Sequence, residues 1–249
     1  MRVELTALGQ SGYALRAESG ELLLVDPYLS DYVEEELGAA RIAPAVLDIE
    51  SAAAIALVAT HWHPDHLDPP TCRALARTQP DLVFVGPPSN RSRLLGWGIA
   101  PEQVVTLERE DSVTLGPFTV HGGFARHEVS GWLAEDALSL VLEVDGARIF
   151  HSGDTEYDAR LLTARRHAPF DLGLFVINGT GGNMNAPEAA LLAHELAPAL
   201  AVPCHYDMWR PEDYGHEATL DPKIFEDYCR RLGGPPTCVL QVGTTHQLG

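Results

Sequence analysis

Short apolar or alternating runs set off by glycines open the chain: Val3 to Leu8, Tyr13 to Ala17 and Leu22 to Asp26, with Gly9, Gly12 and Gly20 between them. Runs of this length bounded by turn residues predict strands. Further strands are predicted at Ala56 to Thr60, Leu82 to Gly86, Val104 to Leu107, Phe118 to Ala125, Ala137 to Val144 and Arg148 to His151. Helical signals interleave with them. Asp68 reads as an N-cap with Pro69 and Pro70 opening a helix through Cys72, Leu75 and Ala76. A second short helix covers Pro87 to Leu95 and is broken by Gly96-Trp97-Gly98.

The second half repeats this pattern. A helix is predicted over Glu156 to Arg166, a buried strand over Leu172 to Asn178, then a glycine-rich turn at Gly179 to Gly182. In the helix Pro187 to Leu196, Ala189, Leu192, Ala193 and Leu196 fall at i, i+3, i+4 and i+7, so one face is core. Ala199 to Cys204 is a strand, Asp221 to Leu232 an amphipathic helix and Cys238 to Val242 a last strand. Two halves that each read as strands followed by helices predict an α/β protein built as a four-layered αββα sandwich. No linker or low-complexity tract divides it, so residues 1–249 are expected to form a single domain.

Composition narrows the role. Hydrophobic residues at 45% and charged residues at 21% support a folded core. Acidic residues outnumber basic ones 35 to 17, for a net charge of −18, which argues against a nucleic-acid polymer or an anionic membrane as partner. A small-molecule substrate is expected, with a homo-oligomer left open. The N-terminal Met1-Arg2-Val3-Glu4-Leu5 carries no signal-peptide pattern, and no apolar run is long enough to span a bilayer. Cys72, Cys204, Cys229 and Cys238 show no CxxC spacing, so reduced thiols in a cytoplasmic protein are expected.

The chemistry concentrates in Thr60-His61-Trp62-His63-Pro64-Asp65-His66, directly after a predicted strand. On an extended segment His61 and His63 project to one side and reach one ion. Asp65 and His66, past Pro64, can face a second. Imidazole with carboxylate and no thiolate suits zinc, manganese or iron over calcium or magnesium. Asp154, in His151-Ser152-Gly153-Asp154, again ends a strand, and a carboxylate there can bridge two ions; otherwise it is a helix N-cap. His205 follows the apolar strand Ala199 to Cys204 in the same way. A third nitrogen for the first ion comes from His121 or His127, and His127, past the strand end, is preferred. His151 is either an orienting group or a strand residue, His246 could line the pocket, and Cys204 beside His205 reads as a buried thiol. Tyr206, Trp209, Arg210, Arg91 and Arg93 are candidate substrate contacts.

The run at 60–66 resembles the HxHxDH signature of the metallo-β-lactamase superfamily. Within it, Gly96-Trp97-Gly98-Ile99-Ala100-Pro101-Glu102, His151-Ser152-Gly153-Asp154, Pro203-x-His205-x-Asp207-Met208-Trp209 and Gln241-Val242-Gly243 resemble the L-ascorbate-6-phosphate lactonase (UlaG-like) group. The resemblance implies the metallo-β-lactamase fold and two divalent ions, zinc or manganese. It implies that His61, His63 and His127 hold one ion, Asp65, His66 and His205 the other, and Asp154 bridges them. The expected reaction is attack of a metal-bound hydroxide on a lactone or related ester of a small, anionic substrate. Asp65 and Asp154 are the expected catalytic residues, with Asp65 passing a proton to the leaving group. The alternative is a phosphodiesterase acting on small cyclic nucleotides.

Overall fold

The alternating runs resolve into two sheets packed face to face. The computed structural model describes residues 3–49, 51–129 and 131–249; Met1 and Arg2 of the N-terminal run lie outside it. The first sheet contains β1 (Val3–Gly9), β2 (Gly12–Arg16), β3 (Leu22–Val25), β4 (Ala54–Val58), β5 (Val83–Gly86) and β6 (Val104–Thr106). The second contains β7 (Ser112–Leu115), β8 (Phe118–Phe124), β9 (Leu138–Val144), β10 (Ala147–His151), β11 (Leu172–Val176) and β12 (Ala201–Cys204). The last strand, β13 (Thr245–Leu248), returns to the first sheet and pairs antiparallel with β1. The strand orders are β13-β1-β2-β3-β4-β5-β6 and β12-β11-β10-β9-β8-β7.

Helices cover both outer faces. α1 (Tyr32–Leu37), α2 (Pro69–Thr78) and α3 (Pro88–Gly96) belong to the first half; α4 (Ala186–Leu196), α5 (Pro211–Tyr214) and α6 (Pro222–Leu232) belong to the second. Three apolar clusters account for the layering. One fills the space between the sheets with Leu5, Leu15, Leu23, Val58, Val120, Leu140 and Leu174. Another packs β4 and β5 onto α2 and α3 through Leu57, Phe84, Leu75 and Leu94. The third packs Phe150 and Phe175 against Leu192 of α4 and Phe225 of α6. A sheet that is apolar on both faces must be covered on both, and four layers are the result. This is the αββα architecture expected from the sequence.

Three expectations shift. The segment expected as a helix over Glu156 to Arg166 is a 3-10 helix, Ala159–His167, whose N-cap Asp158 accepts from the Arg160 amide. The last strand is Thr245–Leu248 rather than Cys238 to Val242; Cys238 keeps only an amide hydrogen bond to the Ala201 carbonyl. Residues 236–238 do meet the free edge of β12, through a single bridge between Thr237 and Ala201, too short a pairing to make a strand. Strand β7 and helices α1 and α5 went unread because each is four to six residues long, too short for periodicity to register. Among the described residues no helix is long and apolar enough to cross a membrane.

What positions chemistry is direction. β3, β4, β5 and β6 run parallel to one another, as do β10, β11 and β12. The carboxyl ends of β3, β4, β10 and β12 therefore deliver Asp26, the 60–66 turn, Asp154 and His205 to one rim, the place where such sheets leave backbone free for a ligand. Phe225 lies on the far side of the second sheet, fully buried with its ring 6.0 Å from that of Phe175. Phe225→Ala is expected to cost about 3–5 kcal/mol in urea unfolding while leaving the rim intact.

Candidate metal centre

Beyond β4 the chain does not stay extended. Residues 61–67 form a tight turn in which the amides of His66 and Leu67 both donate to the His63 carbonyl. The turn brings the His61 ring within 4.4 Å of His63 and 4.1 Å of His66, centroid to centroid. His127 arrives from just past β8, its ring 4.7 Å from His63. Asp154 follows β10, and His205 follows β12 with φ 67, a left-handed backbone that a histidine adopts at a cost. His61, His63, Asp65, His66, His127, Asp154 and His205 are thus brought together, all buried.

The hydrogen bonds fix which ring nitrogen faces inward. The His63 Nε2–H donates to the Trp132 carbonyl at 2.8 Å, and the His127 Nδ1–H to the Gly182 carbonyl at 3.3 Å. The inward atoms, His63 Nδ1 and His127 Nε2, then face each other with lone pairs 3.1 Å apart. The Thr60 hydroxyl donates to Asp26 Oδ2, so it accepts from His61 Nδ1 and leaves His61 Nε2 as a buried nitrogen with no partner. The His66 Nδ1–H donates to Asp26 Oδ2 at 2.9 Å, and its inward Nε2 likewise has no hydrogen bond. Asp154 Oδ1 is also buried without one. Three inward lone pairs, on His61, His63 and His127, beside the inward His66 nitrogen and a carboxylate oxygen with no hydrogen bond, are unfavourable in a dry interior unless positive charge sits among them. The residues present therefore fit a metal.

Three overlapping groups of donors converge here, His61 with His63 and His127, Asp65 with His66 and His205, and His61 with His66 and Asp154, each set of atoms within 4.8 Å of one another. Asp154 lies between the first two: its carboxylate is 3.4 Å from His66 Nε2, 3.8 Å from His127 Nε2 and 3.0 Å from His205 Nε2. Electrostatics separates the groups. Burial, with His127 beside it, pulls His63 down to about 4, and burial lowers His61 and His127 too, so these rings are neutral lone-pair donors. Burial would lower His205 as well, yet Asp154 and Asp65 raise it to about 9. His66 is raised in the same way, burial being outweighed by Asp154, Asp65 and Asp26. Around the carboxylates, protons occupy the positions that a divalent cation would take.

Several residues that the sequence did not mark hold this arrangement. Asp26 accepts from the Thr60 amide (2.7 Å), the Thr60 hydroxyl (2.8 Å) and His66. Gln10 Nε2 donates to Asp65 Oδ2 at 2.8 Å and lies 3.1 Å from His205 Nε2, and Asn183 Nδ2 donates to Asp154 Oδ2 at 2.9 Å. Asp26 had a readable signal, since it ends an apolar strand as His61 does; Gln10 and Asn183 had none. The glycines earn their places by close approach. Gly153 has φ 58, and a Cβ there would lie 2.5 Å from the Leu138 carbonyl. A Cβ on Gly182 would press on Val129 at 3.2 Å, beside the carbonyl that His127 needs.

Other candidates fall elsewhere. His121 lies away from the centre, 3.7 Å from Glu143 and with its ring 4.3 Å from His167, so of the two alternatives His127 is the one at the rim. His151 accepts from the Gly153 amide and donates to the Ser11 carbonyl, bracing the turn that carries Asp154. His246 pairs with Leu5 in the β13 ladder and does not line the cavity. Cys204 is buried, and burial pushes its thiol well up, as expected for an inert side chain. Of the proposed substrate contacts, Trp209 lines the cavity, whereas Tyr206 packs against the α4 layer.

Comparison with known proteins agrees with this picture. Residues 22–206 match the model of the beta-lactamase superfamily domain. The chain is 26% identical over 190 residues to the probable L-ascorbate-6-phosphate lactonase UlaG of Salmonella choleraesuis, covering 68% of this chain but only 54% of that protein. Among solved structures it resembles Igni18, a metallo hydrolase from Ignicoccus hospitalis, at 21% identity and a TM-score of 0.75 over 100% of this chain and 99% of the other. It also resembles an isothiocyanate hydrolase from Delia radicum gut bacteria, at 18% identity and a TM-score of 0.76 over 99% of both.

Two substitutions test the supports. Asp26→Ala strands a buried amide, a hydroxyl and a ring N–H, so divalent-cation affinity in chelator competition is expected to fall about 10–100-fold, with a stability loss of about 2–5 kcal/mol. Gly153→Ala is expected to lower both cation affinity and the unfolding midpoint, because Asp154 cannot keep its position when the preceding residue is displaced.

Proposed function

This chain belongs to the beta-lactamase superfamily, and on that premise we propose that it is a metal-dependent hydrolase that opens a lactone or related ester of a small molecule. The observation that carries the reading is the set of inward, unpartnered donors: His61 Nε2, His66 Nε2 and Asp154 Oδ1. We assign His61, His63 and His127 to one divalent ion, Asp65, His66 and His205 to a second, and Asp154 to both, with zinc or manganese as the metal. When bound, such a pair lowers the pKa of a shared water and polarises the substrate oxygen.

The chain's own residues do the rest. The outward hydrogen bonds to Trp132, Gly182 and Asp26 hold the rings in one tautomer and orientation. Gln10 and Asn183 steady Asp65 and Asp154. Asp65 reaches the cavity with Oδ2 engaged by Gln10, and Oδ1 is the atom left to carry a proton to the leaving oxygen. Water adds to the acyl carbon, the ring C–O bond breaks, and the product is the open hydroxy acid. Four free thiols accord with a reducing, cytoplasmic setting.

The similar lactonase supports ester opening as the reaction class, although this chain spans about half of that protein's length. Cyclic-nucleotide cleavage is the competing reaction, and it would use the same metal pair as its phosphate clamp. Metal analysis of the purified protein should return two divalent ions per chain, and a chelator should abolish lactone opening, with zinc or manganese restoring it. Turnover of cyclic nucleotides with inactivity on every lactone would defeat the assignment.

A further inference from the structure

The cavity that opens onto this centre has a volume of about 280 Å³, room for a compact ligand. Its wall is a consistent chemical statement. Apolar side chains dominate it away from the centre: Val33 and Leu37 of α1, Val129, Trp132 and Trp209. The polar remainder is neutral, with Asn178 and Thr180 from the turn after β11, apart from Asp213 at the rim. No lysine or arginine lines it among the described residues.

Arginines in the neighbouring sequence are committed elsewhere. Arg41 lies over the Tyr28 ring and donates to the carbonyls of Ala43 and Ser30. Arg93 stacks on Trp62, its guanidinium carbon 3.7 Å from the ring centroid. Arg210 pairs with Asp213 and Glu212, and Arg91 donates to the Val104 carbonyl. The three arginines that the sequence offered as substrate contacts thus have other partners and do not line the cavity.

Resting on the hydrolase reading above, we propose that this site takes an uncharged lactone or ester with a compact apolar substituent, and excludes substrates whose substituent is anionic. The reacting carbonyl faces the metal donors, while the substituent lies along Val33, Leu37, Val129 and Trp132. A charged substituent there would leave water for an apolar wall with no lysine or arginine among its described lining residues, and Asp213 beside it is already paired with Arg210. Two divalent ions held by Asp65, Asp154 and neutral imidazoles would keep a net positive charge at the reacting oxygen, so the discrimination is confined to the wall that the substituent meets. Neutral amides and one indole, Trp209, remain to orient the ligand.

The test is a matched pair: a δ-lactone with a short alkyl side chain against the same ring carrying a terminal carboxylate or phosphate on that chain. With metal-loaded protein, kcat/KM should favour the neutral member by on the order of 100-fold. Equal or better turnover of the charged member overturns the proposal. Failure to open any lactone defeats the hydrolase reading instead, and binding then decides: the neutral alkyl lactam should quench tryptophan fluorescence at lower concentration than its carboxylated counterpart. Equal quenching, tighter binding of the charged lactam, or no binding of either overturns the inference. Leu37→Arg, at an exposed position of the wall, should narrow the neutral preference about 10-fold, with Thr180→Lys as a second variant. An unchanged ratio in both would place the substituent elsewhere.

Discussion

Five imidazoles and two carboxylates buried within a few ångströms of one another cannot be neutral to folding. Each side chain would be better solvated in water, and the inward lone pairs of His63 and His127 repel at 3.1 Å. Protons on His66 and His205 relieve part of this by pairing with Asp65 and Asp154. Nothing comparable relieves His61, His63 and His127, whose surroundings keep them unprotonated. The rim of the two sheets is therefore built around a requirement for positive charge, and the sandwich must be rigid enough to hold that requirement in place. Asp26 shows how this is done, since one carboxylate ties β3 to the turn after β4 and orients the His66 ring at once.

The rigidity comes from where the donors attach. Each stands one to eight residues past the end of a strand whose apolar side chains are locked in the inter-sheet core. The two halves of the centre come from different sheets: Asp26 and the 60–66 turn from the first, His127, Asp154 and His205 from the second. The centre can form only if the sheets pack in register, so folding and ligand assembly are one event. A cation binding only the folded state adds to stability by mass action, which offsets the backbone strain at His205 and the crowding at Gly153.

Much of this was legible in the chain because strand ends and ligands coincide. The run at 60–66, Asp154 and His205 could each be read as donors following an apolar strand, and all are at the rim. His127 and His121 illustrate the limit: six residues apart on one segment, they share strand parity, and only the end of β8 separates them in space. Gln10 and Asn183 were invisible because a single amide in a glycine-rich turn carries no periodicity; its meaning is fixed by partners 55 and 29 residues away. The last strand was misplaced for a related reason. Alternation identifies a segment able to pair, but the length over which it meets a sheet edge, a single bridge at β12, decides whether it becomes a strand.

The same distinction bears on the ligand. Sequence counts arginines but does not show what they are doing, and a net charge of −18 leaves the local field of a cavity undetermined. In the folded chain Arg41, Arg91, Arg93 and Arg210 are engaged by aromatic rings, carbonyl oxygens and neighbouring acids, so no arginine among the described residues lines the largely apolar wall around the centre. A donor set of this kind is broadly competent, because polarising an acyl oxygen does not depend on what the acyl group carries. Discrimination among esters must then come from the wall, and a wall without cations discriminates by withholding compensation from charge. Residues such as Val33 and Leu37, which the centre does not use to hold its donors, are for that reason where relatives with the same centre would be expected to diverge in substrate.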